Sequence, residues 1–185
     1  MSNTILRGKR AYTGIFNVEE LTIQLDEGEI VDRAIVDHPD GVVVLAYDPE
    51  RRVALMISEA RPAVMFAGGS TILEAIGGTL DDEPEDCARR EALEEGGLKL
   101  GELTLVGQVW MTPPNSTERL HLFLAPYTRA DRVAEGGGLD SEQEHLKVRE
   151  VPLGKLWGEI QNGGVHDAKT MILVQALKLA RPELF

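Results

Sequence analysis

The chain has 185 residues, with 19 Lys plus Arg against 31 Asp plus Glu and a formal net charge of −12. That balance repels phosphate chains and argues against a nucleic-acid partner, while 43% hydrophobic and 27% charged residues suit a globular domain. No apolar run approaches the roughly 18 residues of a membrane span or resembles a secretory signal, and the single cysteine, Cys87, cannot form an internal disulfide. These features predict a cytoplasmic protein with no membrane contact. With no Cys/His cluster at zinc spacing, any metal must be held by oxygen.

Taken in order, Phe16 to Leu25 and Glu29 to Asp37 alternate apolar and charged residues around a break at Asp26 to Gly28, which predicts a hairpin. Gly41 to Tyr47 and Val53 to Ile57 are continuously apolar, the pattern of central strands buried on both faces. A Gly/Ser loop at Phe66 to Ser70 leads to a short strand at Ile72 to Ile76, which Gly77 and Gly78 break. Strands are expected at Leu103 to Met111, Leu120 to Tyr127 and Leu146 to Val151, the last preceded by a flexible Gly136 to Gly138 segment. Pro152 and Asp167 mark the starts of two final helices, and the mixture implies an α/β arrangement.

The segment Gly77 to Leu98 (GGTLDDEPEDCARREALEEGGL) carries the chemistry. Asp82 or Glu83 can cap a helix, Pro84 suits its first turn, and Gly96 with Gly97 stops it, so a helix spans about Pro84 to Glu95. At about 100° per residue, Glu91, Glu94 and Glu95 fall within one arc of about 100°. Carboxylates about 5.5 Å apart repel by roughly 0.75 kcal/mol in water and several-fold more in a cleft. Most charge runs are solvated faces, but a bound cation answers this repulsion better, and carboxylate oxygens are the ligands of magnesium or manganese. The glycine pair before the helix lets backbone approach a ligand and points a carbonyl inward.

Arg90-Glu91-Ala92-Leu93-Glu94-Glu95-Gly96-Gly97-Leu98 resembles the second half of the Nudix hydrolase signature, with Ala92 small in a hydrophobic slot. In the first half Gly77 and Glu83 fit, but six residues separate Glu83 from Arg90 where the pattern has seven. Linking phrases outside the box also match: Leu73-Glu74 before the glycines, Met111-Thr112-Pro113 before Thr117-Glu118, AEGGG at Ala134 to Gly138, and HDAKT at His166 to Thr170. They resemble the ADP-ribose and GDP-mannose pyrophosphatase branch.

The resemblance implies a Nudix α/β/α sandwich with a mixed sheet over residues 41–185, and an N-terminal β region, residues 1–40, that pairs two subunits into a homodimer. It implies Mg-dependent hydrolysis of the pyrophosphate in a nucleoside diphosphate sugar, of GDP-mannose or ADP-ribose type, to a nucleoside monophosphate and a sugar 1-phosphate. Metal would be held by Glu91, Glu94, Glu95 and the Gly77 carbonyl. Glu142 or Glu144, after the glycine run, would act as general base or metal partner, with Glu94 also counted among the catalytic groups. Arg61 would hold substrate phosphate, Glu118 would bond substrate or anchor Arg61, and Phe16 would stack a base. Cys87 and the four histidines have structural roles in this reading, and Trp110 and Trp157 belong to core or groove. The alternative is a catalytically weak Nudix-fold nucleotide-binding or sensor module, for which the shortened loop is the support.

Overall fold

The computed structural model describes residues 2–139 and 146–185. Its strands are β1 (Thr4–Thr13), β2 (Asn17–Gln24), β3 (Ile30–Asp37), β4 (Gly41–Asp48), β5 (Val53–Glu59), β6 (Ile72–Glu74), β7 (Ile76–Thr79), β8 (Thr104–Trp110), β9 (Arg119–Pro126) and β10 (Lys147–Pro152). Four α-helices accompany them: α1 (Pro62–Phe66), α2 (Pro84–Glu94), α3 (Leu153–Gln161) and α4 (Ala168–Ala180). The chain forms two compact units, one of residues up to Asp40 with Val109–Leu120, the other of Gly41–Gln108 with His121–Phe185.

The first unit carries an antiparallel three-stranded sheet in the order β1-β2-β3. The hairpin of β2 and β3 is the expected one. β1 was not expected, because all ten of its residues are exposed and no burial enforces an alternation. It is held by main-chain pairing to β2 and by cross-strand ion pairs, Arg10 to Glu19 at 2.6 Å and Lys9 to Glu20 at 4.0 Å.

The second unit is built on a seven-stranded sheet with the path β10-β5-β4-β9-β8, to which β6 adds beside β5 and β7 beside β4. Every residue of β4 is buried, as the continuous apolar run predicts. Successive side chains of a strand face opposite ways. Val42, Val44 and Ala46 join Leu55, Ile57, Ile76 and Phe123 in the core that Cys87, Ala88 and Ala92 of α2 close. α4, with Leu173, Val174 and Leu177 buried, packs on β4 and against α3. This is the layered α/β arrangement expected.

One local expectation is corrected. Gly77 and Gly78 do not end a strand but form the middle of β7, paired to Val43 and Val42 of β4. α1, for which the sequence reading made no assignment, is started by Pro62 at its first position and ends where the expected loop of Phe66 to Ser70 begins. Among the described residues no helix is long and apolar enough to cross a membrane.

The turn between β4 and β5 is fixed to β10 by one guanidinium. Arg51 bonds Asp48 Oδ2 at 2.6 Å and both carboxylate oxygens of Glu150 at 2.6 and 2.7 Å, and the Tyr127 hydroxyl donates to Glu150 at 2.9 Å. The bonds from Arg51, joined by the one from Tyr127 and opposed by burial, hold the Glu150 carboxyl below the usual carboxylate range. A depressed carboxylate contributes stability at neutral pH that is lost as the pH falls through its folded value, here below the ordinary value of about 4.3. Arg51→Met should therefore lower the urea midpoint most near about pH 7, and the gap to the parent should narrow as protonation removes the unpaired charges. A gap that stays constant as the pH is lowered past the depressed Glu150 value, until the parent's own carboxyls are protonated, would count against this assignment.

Candidate active site

α2 presents its acidic face to β7 because Cys87, Ala88 and Ala92 are small enough to let the helix close on the sheet. Glu83 is the N-cap residue, but its side chain does not cap the first turn, and the Asp82 carboxylate accepts from the Glu83 N–H at 2.9 Å. At the other end the backbone turns at Gly97, whose φ of 66° is the left-handed value that ends a helix.

Glu91 and Glu95 are buried, with 9% and 2% of their surfaces exposed, while Glu94 is half-buried. Glu95 Oε2 accepts from the Gly77 N–H at 3.1 Å. Gly77 thus meets Glu95 through its N–H, a contact that sits beside the carbonyl expected to face a metal. Arg90 lies 3.0 Å from Glu91 and 3.4 Å from Glu94 and bonds Asp81 at 2.6 Å. Burial works against the Arg90 charge, but Cys87, Glu91, Asp81 and Glu94 more than offset it and raise its pKa. The Cys87 thiol donates to Asp81 at 3.2 Å and, with Arg90, lowers the Asp81 pKa. Cys87 is therefore structural.

Three described features bring the chain that follows α2 back to its end. Gly137 donates to the Glu95 carbonyl at 2.8 Å, Gly138 to the Glu94 carbonyl at 3.2 Å, and Leu146 to the Gly137 carbonyl at 3.1 Å. Gly137 and Gly138 of the glycine run supply N–H donors to the open carbonyls of a helix terminus. Glu142 and Glu144 lie outside the described residues.

Arg61 follows β5 and is anchored twice, by Glu74 at 2.7 Å through Nε and by Glu59 at 2.7 Å through Nη1. Burial works against its charge, but Glu74, Glu59 and Glu95 raise its pKa. Within the second unit the carboxylates at Arg61 are thus Glu74 and Glu59. Sequence reading missed both, although a glutamate inside the apolar stretch Ile72 to Ile76 was a usable signal.

Within the first unit, Glu118 Oε1 lies 3.5 Å from His38 Nδ1. The Phe16 ring stands 6.2 Å from Tyr12 and 6.2 Å from His38, forming an exposed aromatic cluster. Trp110, expected in core or groove, is 57% exposed and lies under Arg119.

Residues 37–173 match the NUDIX domain. The chain belongs to the Nudix family. It is 35% identical over 182 residues to a GDP-mannose pyrophosphatase of Cronobacter sakazakii (strain ATCC BAA-894), covering 95% of this chain and 94% of the relative. A GDP-mannose pyrophosphatase of Escherichia coli O1:K1 / APEC is 31% identical over 184 residues, covering 96% and 95%. The fold matches a crystal structure of an ADP compounds hydrolase with a TM-score of 0.76 at 20% identity, covering 98% of this chain and 97% of that one. The relatives place the chain in the branch its linking phrases indicate.

Nudix hydrolases generally use a divalent metal, typically magnesium. The donors here suit such an ion chemically, being oxygens on two buried carboxylates and a third half-buried one. As placed, no three Asp, Glu, His or Cys groups among the described residues converge on one point. Arg90 lies against Glu91 and Glu94, so loading the site would exchange guanidinium contacts for a cation.

Gly78 is part of the cradle. A Cβ there would stand 2.3 Å from Glu91 Cδ and 2.4 and 2.6 Å from its two oxygens. Those atoms end a flexible side chain and can swing away, so Gly78→Ala should fold with nearly the parental melting temperature. It should, however, weaken the upward melting shift produced by magnesium, measured by calorimetry with and without the ion. A parental magnesium shift would show that Glu91 does not need the room Gly78 leaves.

Proposed function

We propose that this Nudix protein hydrolyses the pyrophosphate bond of a nucleoside diphosphate sugar, of GDP-mannose type, to a nucleoside monophosphate and a sugar 1-phosphate. The observation that carries the reading is the pair of buried carboxylates, Glu91 and Glu95, beside the glycine strand β7 in a chain that matches the NUDIX domain. Near-full-length identity to two GDP-mannose pyrophosphatases supports the substrate class.

Magnesium, with manganese as a substitute, would be held by Glu91, Glu95, Glu94 and the Gly77 carbonyl, where it would neutralise phosphate oxygens and make water acidic enough to react. Arg61, fixed by Glu74 and Glu59, would present its remaining guanidinium edge to the diphosphate. Glu142 or Glu144 would accept the proton of the attacking water. The reading of these two glutamates rests on their position in the sequence, shortly after the glycine run whose Gly137 and Gly138 N–H groups bond the last carbonyls of α2. Phe16 would stack the base and Glu118 would bond polar groups of the substrate.

The exposed strand β1 supports a homodimer formed through the N-terminal region, since an open strand edge invites pairing. The small-molecule substrate, the acidic balance and the lone cysteine suit an enzyme of the cytoplasm.

Glu95→Gln retains shape and removes one buried charge. Loss of a metal ligand removes several kcal/mol of transition-state stabilisation, so turnover of GDP-mannose should fall by about a hundredfold or more. The melting temperature without metal should not fall. Release of GMP and mannose 1-phosphate, followed by chromatography, measures the change, and a variant working at the parental rate would sink the proposal.

A further inference from the structure

The substrate arginine shares its anchor with a lysine from the far end of the chain. Glu74 is 3% exposed and sits on β6, opposite Ile57 of β5. Its Oε2 accepts from Arg61 Nε at 2.7 Å and its Oε1 from Lys169 Nζ at 3.4 Å. Lys169 also pairs with Asp167, the N-cap of α4. Asp167 Oδ2 accepts from the Thr170 N–H at 2.9 Å and from the Thr170 hydroxyl at 2.7 Å. That hydroxyl in turn accepts from the N–H of Ala75, the neighbour of Glu74, at 2.7 Å.

The circuit therefore closes on itself, from Glu74 through the first turn of α4 and back to the next residue of the chain. Three carboxylates, Glu59, Glu74 and Asp167, face two cations, Arg61 and Lys169, and both cations share the one buried anion Glu74.

We propose that Glu74 and Lys169 are positioning residues for Arg61, the lysine setting how much of the Glu74 charge falls on the guanidinium and thus how freely Arg61 can turn to a substrate phosphate. The proposal rests on the assignment of Arg61 to the diphosphate made above. Without Lys169 the full charge of Glu74 draws Arg61 back onto the protein. Without the Glu74 charge Arg61 is drawn to Glu59 and loses its aim. Either change weakens binding in the ground and transition states alike, which appears in KM.

The test is steady-state hydrolysis of GDP-mannose with magnesium by the full chain carrying Lys169→Met or Glu74→Gln, each alone and together with Arg61→Ala. Each single variant should raise KM about five- to tenfold with kcat within about twofold, and Lys169→Arg should restore the parental KM. In the Arg61→Ala background neither change should raise KM further, because residues that act through one another are not additive. If Glu74→Gln does not fold, Lys169→Met, whose side chain is 26% exposed, carries the test alone. A parental KM in Lys169→Met, or the same KM rise with and without Arg61, would overturn the positioning role and leave Arg61 on the substrate. A parental KM in Arg61→Ala itself would instead remove the assignment underneath.

Discussion

Two glutamates are buried at the wrong end of a helix, and most of the second unit can be read as the answer to that. Glu91 lies in the C-terminal half of α2 and Glu95 is its C-cap, where the helix dipole already places negative charge, and Glu94 stands between them in sequence. Burial strengthens their repulsion. The compensation comes from every side: Arg90 on Glu91 and Glu94, the Gly77 N–H on Glu95, and the Gly137 and Gly138 N–H groups on the last carbonyls. The small face of Cys87, Ala88 and Ala92 lets these partners come close. A helix selected only for stability would hold leucine there. The arrangement makes sense if the negative charge has a second use, and a divalent ion supplies one.

The same economy recurs at two half-buried arginines. Arg51 and Arg61 each hold two carboxylates, but the surroundings differ in consequence. Arg51 spends Nε, Nη1 and Nη2 on Asp48, Glu150 and Tyr127, and Tyr127 closes the set by donating back to Glu150. Its fork is used up, which is the character of a structural lock. Arg61 commits Nε to Glu74 and Nη1 to Glu59 and stands more exposed, at 38% against 21% for the Arg51 side chain. A guanidinium held at one edge and open at another suits recognition of an anion.

Much of this was legible in the sequence because it depends on neighbours along the chain. The apolar runs of β4 and β5, the glycine stop of α2 and the common face of Glu91, Glu94 and Glu95 are all local patterns. What escaped depends on distance. β1 is exposed throughout and reveals itself only by pairing with β2. Glu74 and Lys169 are separated by 95 positions, and no periodicity joins them. The glycine run gives no local sign of the contacts it makes: Gly136 to Gly138 take positive φ angles, 76°, 114° and 86°, and the Gly137 and Gly138 N–H groups bond the end of α2. Composition carries no record of such long-range partners.

The departure from the family pattern, six residues in place of seven between Glu83 and Arg90, falls where it does least harm. β7 runs through Thr79 in register with Gly41, so Gly77 and Gly78 are fixed by β4 and not by the loop. α2 begins at Pro84 and is fixed by its packing on β4 and β7. Between these two rigid elements only Leu80 to Glu83 must adjust. There Asp81 is gathered in by Arg90 and the Cys87 thiol, and the Asp82 N–H bonds the Cys87 sulfur at 3.2 Å. The contacts that define the far end, Glu95 to Gly77 and Glu91 against Gly78, are in place despite the missing residue. A shortened turn at the start of the helix is therefore weak support for a protein that binds without cleaving, because the carboxylates that distinguish the two readings are positioned by the sheet.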